Sequence, residues 1–243
     1  MIRRLQVVER VGAPTLFTVD RVPYDNALDA RVALSAPRVA RHERWKVRER
    51  DSLERIRQLY SLLIQRATAR HLEIRPAVVA AIMQRESQGG LSPLLDAMGP
   101  EGRGDHGHGH GLMQIDDRWH RAFIASGQWR DPYASIAYAV SLLADNFSVL
   151  RAAKLSSLAY PDERERAAIA AYNCGAGAVL KAARACPTKD IDAYTTHGNY
   201  SAEVLRLAEI YVDLVKLASP PTVQDAVATS PAPDAVGSLP QPD

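Results

Sequence analysis

Gly104 to Asp116 reads GDHGHGHGLMQID. Glycine at positions 104, 107, 109 and 111 lets the backbone turn tightly and pass close to a ligand. The same glycines exclude a regular helix, so Leu91 to Gly111 is expected as loops or short strands. Asp105 and Asp116 flank the run. Carboxylates gathered around one cleft suit glycoside hydrolysis, in which one carboxylic acid protonates the leaving oxygen and another carboxylate orients or deprotonates water. The histidines offer a competing reading. On a strand, His106, His108 and His110 would project to one face and could hold zinc with an open position. The intervening glycines leave strand geometry unfixed, so solvated histidines in a turn, or a saccharide-binding loop, are preferred and no metal is assigned.

Upstream lies Glu86, at the end of a nearly all-apolar run, Val78-Val79-Ala80-Ala81-Ile82-Met83. A carboxyl at the edge of such a core is desolvated, which raises its pKa and suits it to general acid catalysis. The plain alternative is an exposed helix-end Glu paired with Arg85 or another base. Downstream, Ala171-Tyr172-Asn173-Cys174-Gly175-Ala176-Gly177 ends a helix on a Gly-rich turn. Tyr and Asn there suit sugar hydroxyl and N-acetyl groups, or the Gly is a C-cap over a buried Tyr. Asn199-Tyr200 precedes the last helix, where an aromatic also serves as a staple.

The rest of the chain reads mostly helical. Leu53, Ile56, Tyr60, Leu63, Ile64 and Ala67 give Asp51 to Ala69 one apolar face. Pro76, Asp131-Pro132 and Pro161 are helix-start signals. The helix from Asp131 places Ile136, Val140, Leu143, Phe147 and Leu150 on one face. A short Ala-rich helix is expected between Gly177 and Pro187. A last helix from about Ser201 places Val204, Leu205, Ala208, Tyr211, Leu214 and Val215 inward.

The ends differ from this middle. Residues 1–47 form an extension in which Leu5 to Val11 and Thr15 to Val22 suggest a β-hairpin, followed by the Arg-rich stretch Arg38 to Arg50. That stretch reads as a solvated linker or helix face, or as a docking arm for an acidic surface. Residues 218–243 carry six of the 15 prolines and no Lys, Arg or aromatic, as expected of a disordered tail or a short partner-binding peptide. Residues 48–217 are left as one domain.

Of 243 residues, 47% are hydrophobic and 24% charged, the balance of a globular domain. Thirty Lys and Arg against 28 Asp and Glu leave a formal charge of +2, which argues against a nucleic-acid partner. Two cysteines exclude a disulfide scaffold. The longest apolar runs, such as Ala77 to Met83, fall short of a membrane span, and no integral membrane segment is expected. Glu9 and Arg10 interrupt any secretory h-region, so the expectation is synthesis in the cytoplasm and delivery to the periplasm or wall by a non-Sec route.

Taken in order, Arg85-Glu86-Ser87, the Gly-rich loop with Asp105, Gly111-Leu112-Met113-Gln114-Ile115-Asp116, Ala171-Tyr172-Asn173 and Asn199-Tyr200-Ser201 resemble the goose-type lysozyme family. They are similar, more distantly, to the soluble lytic transglycosylases. The resemblance covers roughly Asp51 to Leu217. It implies an α+β, predominantly helical lysozyme-like fold with a small antiparallel sheet by the active-site cleft. It implies peptidoglycan glycan strands as substrate, cleaved between N-acetylmuramic acid and N-acetylglucosamine, with no cofactor. Glu86 then looks like the catalytic acid, and Asp105 and Asp116 like the pair that positions the attacking water. Gln114, His120, Tyr172, Asn173 and Tyr200 match positions that line saccharide subsites or support the catalytic Glu.

The loop between Glu86 and Asp105 is longer here than in the animal enzymes, so Asp96 and Glu101 compete for the role of Asp105. Cys174 stands where the family has a small residue, and two buried thiols are preferred over a Cys174–Cys186 bond. The presence of both Asp105 and Asp116 favours an inverting muramidase over a lytic transglycosylase, which needs the Glu alone. A lysozyme-like module that binds glycan or a partner without cleaving it is the alternative from another class. The sequence names no delivery partner or inhibitor.

Overall fold

The computed structural model describes residues 3–7, 17–21, 38–185 and 190–218, with side chains from residue 48 onward. The chain divides into two units, Met1–Arg48 and Glu49–Asp243. In the first, strands β1 (Arg3–Val7) and β2 (Phe17–Arg21) pair antiparallel, from Arg3 opposite Arg21 to Val7 opposite Phe17. Helix α1 spans Arg38–Thr68, so the Arg-rich stretch is helical and continuous with the apolar-faced segment after it. The turn residues Gly12, Ala13 and Pro14, the Pro-rich segment beyond Ala218 and Cys186 lie outside the described residues.

The second unit is built around helix α2 (Pro76–Ser87). Pro76 occupies its first turn, where the missing N–H costs nothing. Every residue from Ala77 to Gln84 is buried, and a helix apolar all round belongs at the centre of a core. Leu53, Ile56 and Ile64 of α1 are fully buried in the same cluster. Helix α4 (Pro132–Ala152) starts on Asp131, whose carboxylate accepts from the Ala134 N–H at 2.7 Å. Ile136, Val140, Leu143 and Leu150 of its apolar face are buried. This helix has the length and composition to cross a membrane, but it is a core helix here, with its apolar stripe packed inside the fold.

Helix α5 (Pro161–Cys174) packs against α4, and α6 (Ala176–Arg184) against α5. Between them Leu158, Ala167, Ala168, Val179 and Ala183 form a second apolar cluster. Arg75 forks onto the Glu165 carboxylate with two contacts of 2.8 Å, tying the start of α2 to α5. Helix α7 (Tyr200–Ala218) makes the most extensive packing against α2. Its inward stripe runs through Tyr200, Val204, Leu207, Ala208, Tyr211 and Leu214. Val215, expected inward, is 40% exposed, and Leu207 takes the inward place instead, because the buried stripe follows three-and-four steps from Tyr200.

A three-stranded antiparallel sheet lies in the loop region: β3 (Arg103–Gly104), β4 (Gly109–His110) and β5 (Ile115–Asp116), with β4 central. Gly109 pairs with Gly104 on one side and Asp116 on the other. A short helix, α3 (Arg121–Ala125), follows the sheet. The result is a predominantly helical α+β fold of lysozyme-like type.

Candidate active site

Glu86 stands in the last turn of α2, and the helix stops immediately after it. Gln88 caps the helix in the left-handed conformation, and Gly90 follows at φ +85. A Cβ on Gly90 would meet the Gly99 carbonyl oxygen at 2.7 Å, so only glycine fits this reversal. Ser87 is fully buried and fastens the helix end to the sheet region. Its hydroxyl donates to the Leu112 carbonyl at 2.6 Å and accepts from the Gly90 N–H at 3.1 Å.

Burial is the dominant influence on the Glu86 carboxyl and pushes it up to about 7; the Tyr200 hydrogen bond and the Arg85 charge oppose the rise. The Tyr200 hydroxyl donates to Glu86 Oε1. The expected alternative, a Glu86–Arg85 pair, does not form: Arg85 is salt-bridged to Glu203 of α7 at 2.9 Å and lies over the Tyr200 ring. Burial, and next the nearby Glu86 charge, hold both Tyr172 and Tyr200 well above the ordinary phenol range. Both remain hydrogen-bond donors at neutral pH.

Tyr200 is held in place by Asp192, whose carboxylate is buried. Asp192 accepts from the Ser201 N–H at 2.8 Å, the Ser201 hydroxyl at 2.6 Å and the Thr195 hydroxyl at 3.1 Å. Thr195 Oγ1 in turn accepts from the Tyr200 N–H at 3.3 Å. Burial alone would raise the Asp192 carboxyl, but these donors and Arg166 outweigh it and leave the group below its usual value. The start of α7 is therefore a satisfied polar cap with Tyr200 at its edge.

The remaining expected residues divide between presentation and bracing. Tyr172 donates to the Met113 carbonyl at 2.8 Å, joining α5 to the GLMQ segment. Gln114, at φ +47, turns its amide inward, where Nε2 donates to Gly111 O at 2.7 Å and Gly102 O at 3.2 Å. Its Oε1 lies over the sheet so closely that a Cβ on Gly104 or Gly109 would meet it at 2.5 or 2.6 Å. Gln114 is thus a brace, and it accounts for two of the alternating glycines. Asn173 Oδ1 accepts from the Thr196 N–H at 2.8 Å. His120 is half-buried with Nδ1 3.0 Å from the Tyr138 hydroxyl; burial lowers its pKa against the pull of Asp116.

The histidine run is not one continuous strand, for only His110 lies in β4. Asp105–Gly107 is a 3-10 turn with His106 at φ +57, which breaks the strand alternation between His106 and the two histidines after it. His108 Nδ1 and His110 Nε2 instead lie 2.9 and 3.3 Å from the two oxygens of Asp117. Among the described residues, no group of three His, Cys, Asp or Glu is arranged to hold a metal. Asp96, a competitor for the role of Asp105, is tied to Arg103 by contacts of 2.7 and 2.8 Å. The Cys174 thiol is free and half-buried, and burial raises its pKa.

Sequence reasoning missed Arg118. It donates to both oxygens of Asp116 at 2.5 to 3.0 Å and to Asp105 at 2.6 Å. It holds the Asp116 carboxyl below its ordinary range, chiefly through its side-chain hydrogen bond. The available signal was an arginine two residues after one candidate acid and thirteen after the other.

The family model of Lysozyme g matches residues 46–213. The chain belongs to the lysozyme g family. A Gallus gallus protein described as Lysozyme g is 34% identical over 152 residues, 63% of this chain and 63% of the relative. A Struthio camelus Lysozyme g is 31% identical over 169 residues, 68% of this chain and 71% of the relative. The match thus spans a little under two thirds of the Gallus gallus protein's length. The lysozyme g region takes in α2, the sheet, and the start of α7, and so contains every residue placed at the site above.

Proposed function

We propose that this chain is a peptidoglycan-cleaving glycosidase of the lysozyme g type. It hydrolyses the β-1,4 bond between N-acetylmuramic acid and N-acetylglucosamine. The single observation that carries the reading is the Glu86 carboxyl, desolvated at the end of a buried helix, held near neutrality and oriented by Tyr200. Such a group is protonated in a large fraction of molecules at neutral pH and can deliver its proton to the glycosidic oxygen. As the bond breaks, the resulting carboxylate keeps the Tyr200 hydroxyl as a donor. Asp105 and Asp116 act from the sheet as the carboxylates that position water. Membership of the lysozyme g family supports the substrate class.

Purified protein is expected to clear a cell-wall suspension, and Glu86→Gln to abolish the clearing. Undiminished clearing by that variant would remove Glu86 from the mechanism. A second reading has its own observation: Arg118 already engages both aspartates. If Glu86 acts without them, the muramyl 6-hydroxyl closes on the anomeric carbon and the products carry anhydro ends. Mass spectrometry of the digest separates the two, since hydrolysis leaves reducing muramic ends.

A further inference from the structure

Asp105 and Asp116 stand on opposite flanks of the sheet. Asp105 opens the turn after β3, and Asp116 ends β5, with Gly109 of β4 between their strands. Two strand spacings separate the edge strands by about 10 Å of backbone. One side chain closes that gap. Arg118 Nε contacts Asp116 at 2.9 and 3.0 Å, while its Nη2 reaches Asp116 at 2.5 Å and Asp105 at 2.6 Å. The backbone of Arg118 is fixed as well, because its N–H donates to Asp116 Oδ1 at 2.8 Å. Its neighbours are pinned on each side, Asp117 by His108 and His110 and His120 by Tyr138.

We propose that Arg118 is a positioning residue of this site, whose guanidinium spans the sheet to fix the direction and the combined charge of Asp116 and Asp105. The inference rests on the hydrolase reading, in which these two carboxylates orient the attacking water. A planar guanidinium suits the task because its donors diverge in a fixed fork, which an ammonium cannot reproduce. One cation between two carboxylates leaves a net single negative charge. The carboxylate lone pairs that Arg118 does not use stay available to water. A purely structural role is a poor account of the contact: the Arg118 and Asp105 side chains are each more than half exposed, and exposed ion pairs add little to stability.

The charged groups around Asp116 are Arg118 and Asp117 on its own loop, His120 at the start of α3, and Asp105 across the sheet. Of these, Arg118 is the main influence lowering the Asp116 carboxyl and Asp117 opposes it. Removing Arg118 leaves Asp116 with like charges at Asp117 and Asp105, which raises its pKa. Water positioning requires the ionised form, so the acid limb of activity must move to higher pH.

The test uses the full chain with Arg118→Met and Arg118→Lys. Three quantities are read: the carboxyl carbon titration of Asp116 by NMR, the pH profile of kcat on soluble glycan strands, and KM. In Arg118→Met the Asp116 midpoint and the acid limb are expected to rise together by about one pH unit or more. At the pH optimum kcat should fall at least about tenfold with KM changed less than about threefold, as for an interaction used in the transition state. Arg118→Lys should keep the acid limb near its original place and recover only part of kcat. An unmoved midpoint in Arg118→Met, or full kcat in either variant, overturns the proposal. Should Arg118→Met fail to fold, kcat of Arg118→Lys decides. If the unaltered protein cleaves no glycan, or yields anhydro ends, the hydrolase reading fails, while the Asp116 titration still reports whether Arg118 sets that carboxylate.

Discussion

Tyr200 at the start of α7 donates its hydroxyl hydrogen bond to Glu86 at the end of α2, across 114 residues of chain. A bond to the charged form stabilises it, so Tyr200 opposes the upward push of burial on the Glu86 carboxyl. Tyr200→Phe removes the donor and leaves the burial. The Glu86 pKa then rises above about 7. A general acid works in its protonated form, so the alkaline limb of activity moves to higher pH. The pH profile of wall clearing checks this. A limb that stays in place, or moves to lower pH, would show that Tyr200 does not hold the ionised form.

The same carboxyl costs the fold stability above its unfolded pKa. Its folded pKa is raised, to about 7 from 4.5, so the native state binds the proton more tightly than the unfolded chain. Stability attributable to this group is therefore full below about pH 4.5 and declines as pH rises to about 7. Glu86→Gln keeps an oxygen for Tyr200 without the buried charge. At pH 8 it should be more stable than the parent by roughly 1–3 kcal/mol, while the two should be similar near pH 4. Urea unfolding at both pH values tests the difference. Equal stability at pH 8 would mean the carboxyl is better solvated than its enclosure suggests.

Ser87→Ala is expected to weaken the link between α2 and the GLMQ segment. The hydroxyl is buried, and its loss removes the donor to the Leu112 carbonyl, while the Gly90 N–H keeps its 2.9 Å bond to the Ser87 carbonyl. Leaving a buried polar group unmade costs about 1–3 kcal/mol. Denaturant midpoints give the stability change. Activity should fall further than stability explains under native conditions, since Glu86 precedes Ser87 directly.

Gly111→Ala should be more damaging than Gly107→Ala. Gly111 has φ +73, and a Cβ there would meet the Trp129 carbonyl oxygen at 2.7 Å and the Pro100 carbonyl oxygen at 3.2 Å. Both obstacles are backbone and cannot rotate away. Gly107, at φ +96 but with open space around it, is the control: Gly107→Ala should incur only the backbone strain of about 1 kcal/mol. A loss at Gly111 no greater than at Gly107 would contradict the close approach.

Local rules decided much of this protein. Pro76, Asp131-Pro132 and Pro161 mark helix starts that the structure keeps, because a fixed φ and a missing N–H act within one turn. The spacing of Leu53, Ile56 and Ile64 announces a buried face, because periodic burial writes a periodic pattern. The ordered blocks around Glu86, Gln114 and Tyr172 indicate the family. Tertiary structure alone decided the partners. Whether Glu86 meets Arg85 or Tyr200 depends on how α2 packs on α7, and a hydrogen bond between distant polar side chains leaves no period to read. Gln114 and Asn173 spend hydrogen bonds on backbone that only the fold brings within reach: the Gln114 amide donates to the Gly111 and Gly102 carbonyls, and Asn173 Oδ1 accepts from the Thr196 N–H. A strand would have put the three histidines on one face, and the left-handed residue at His106 breaks that alternation. Arg118 joins Asp105 to Asp116 only because the sheet brings residues thirteen and two positions away within reach of one guanidinium.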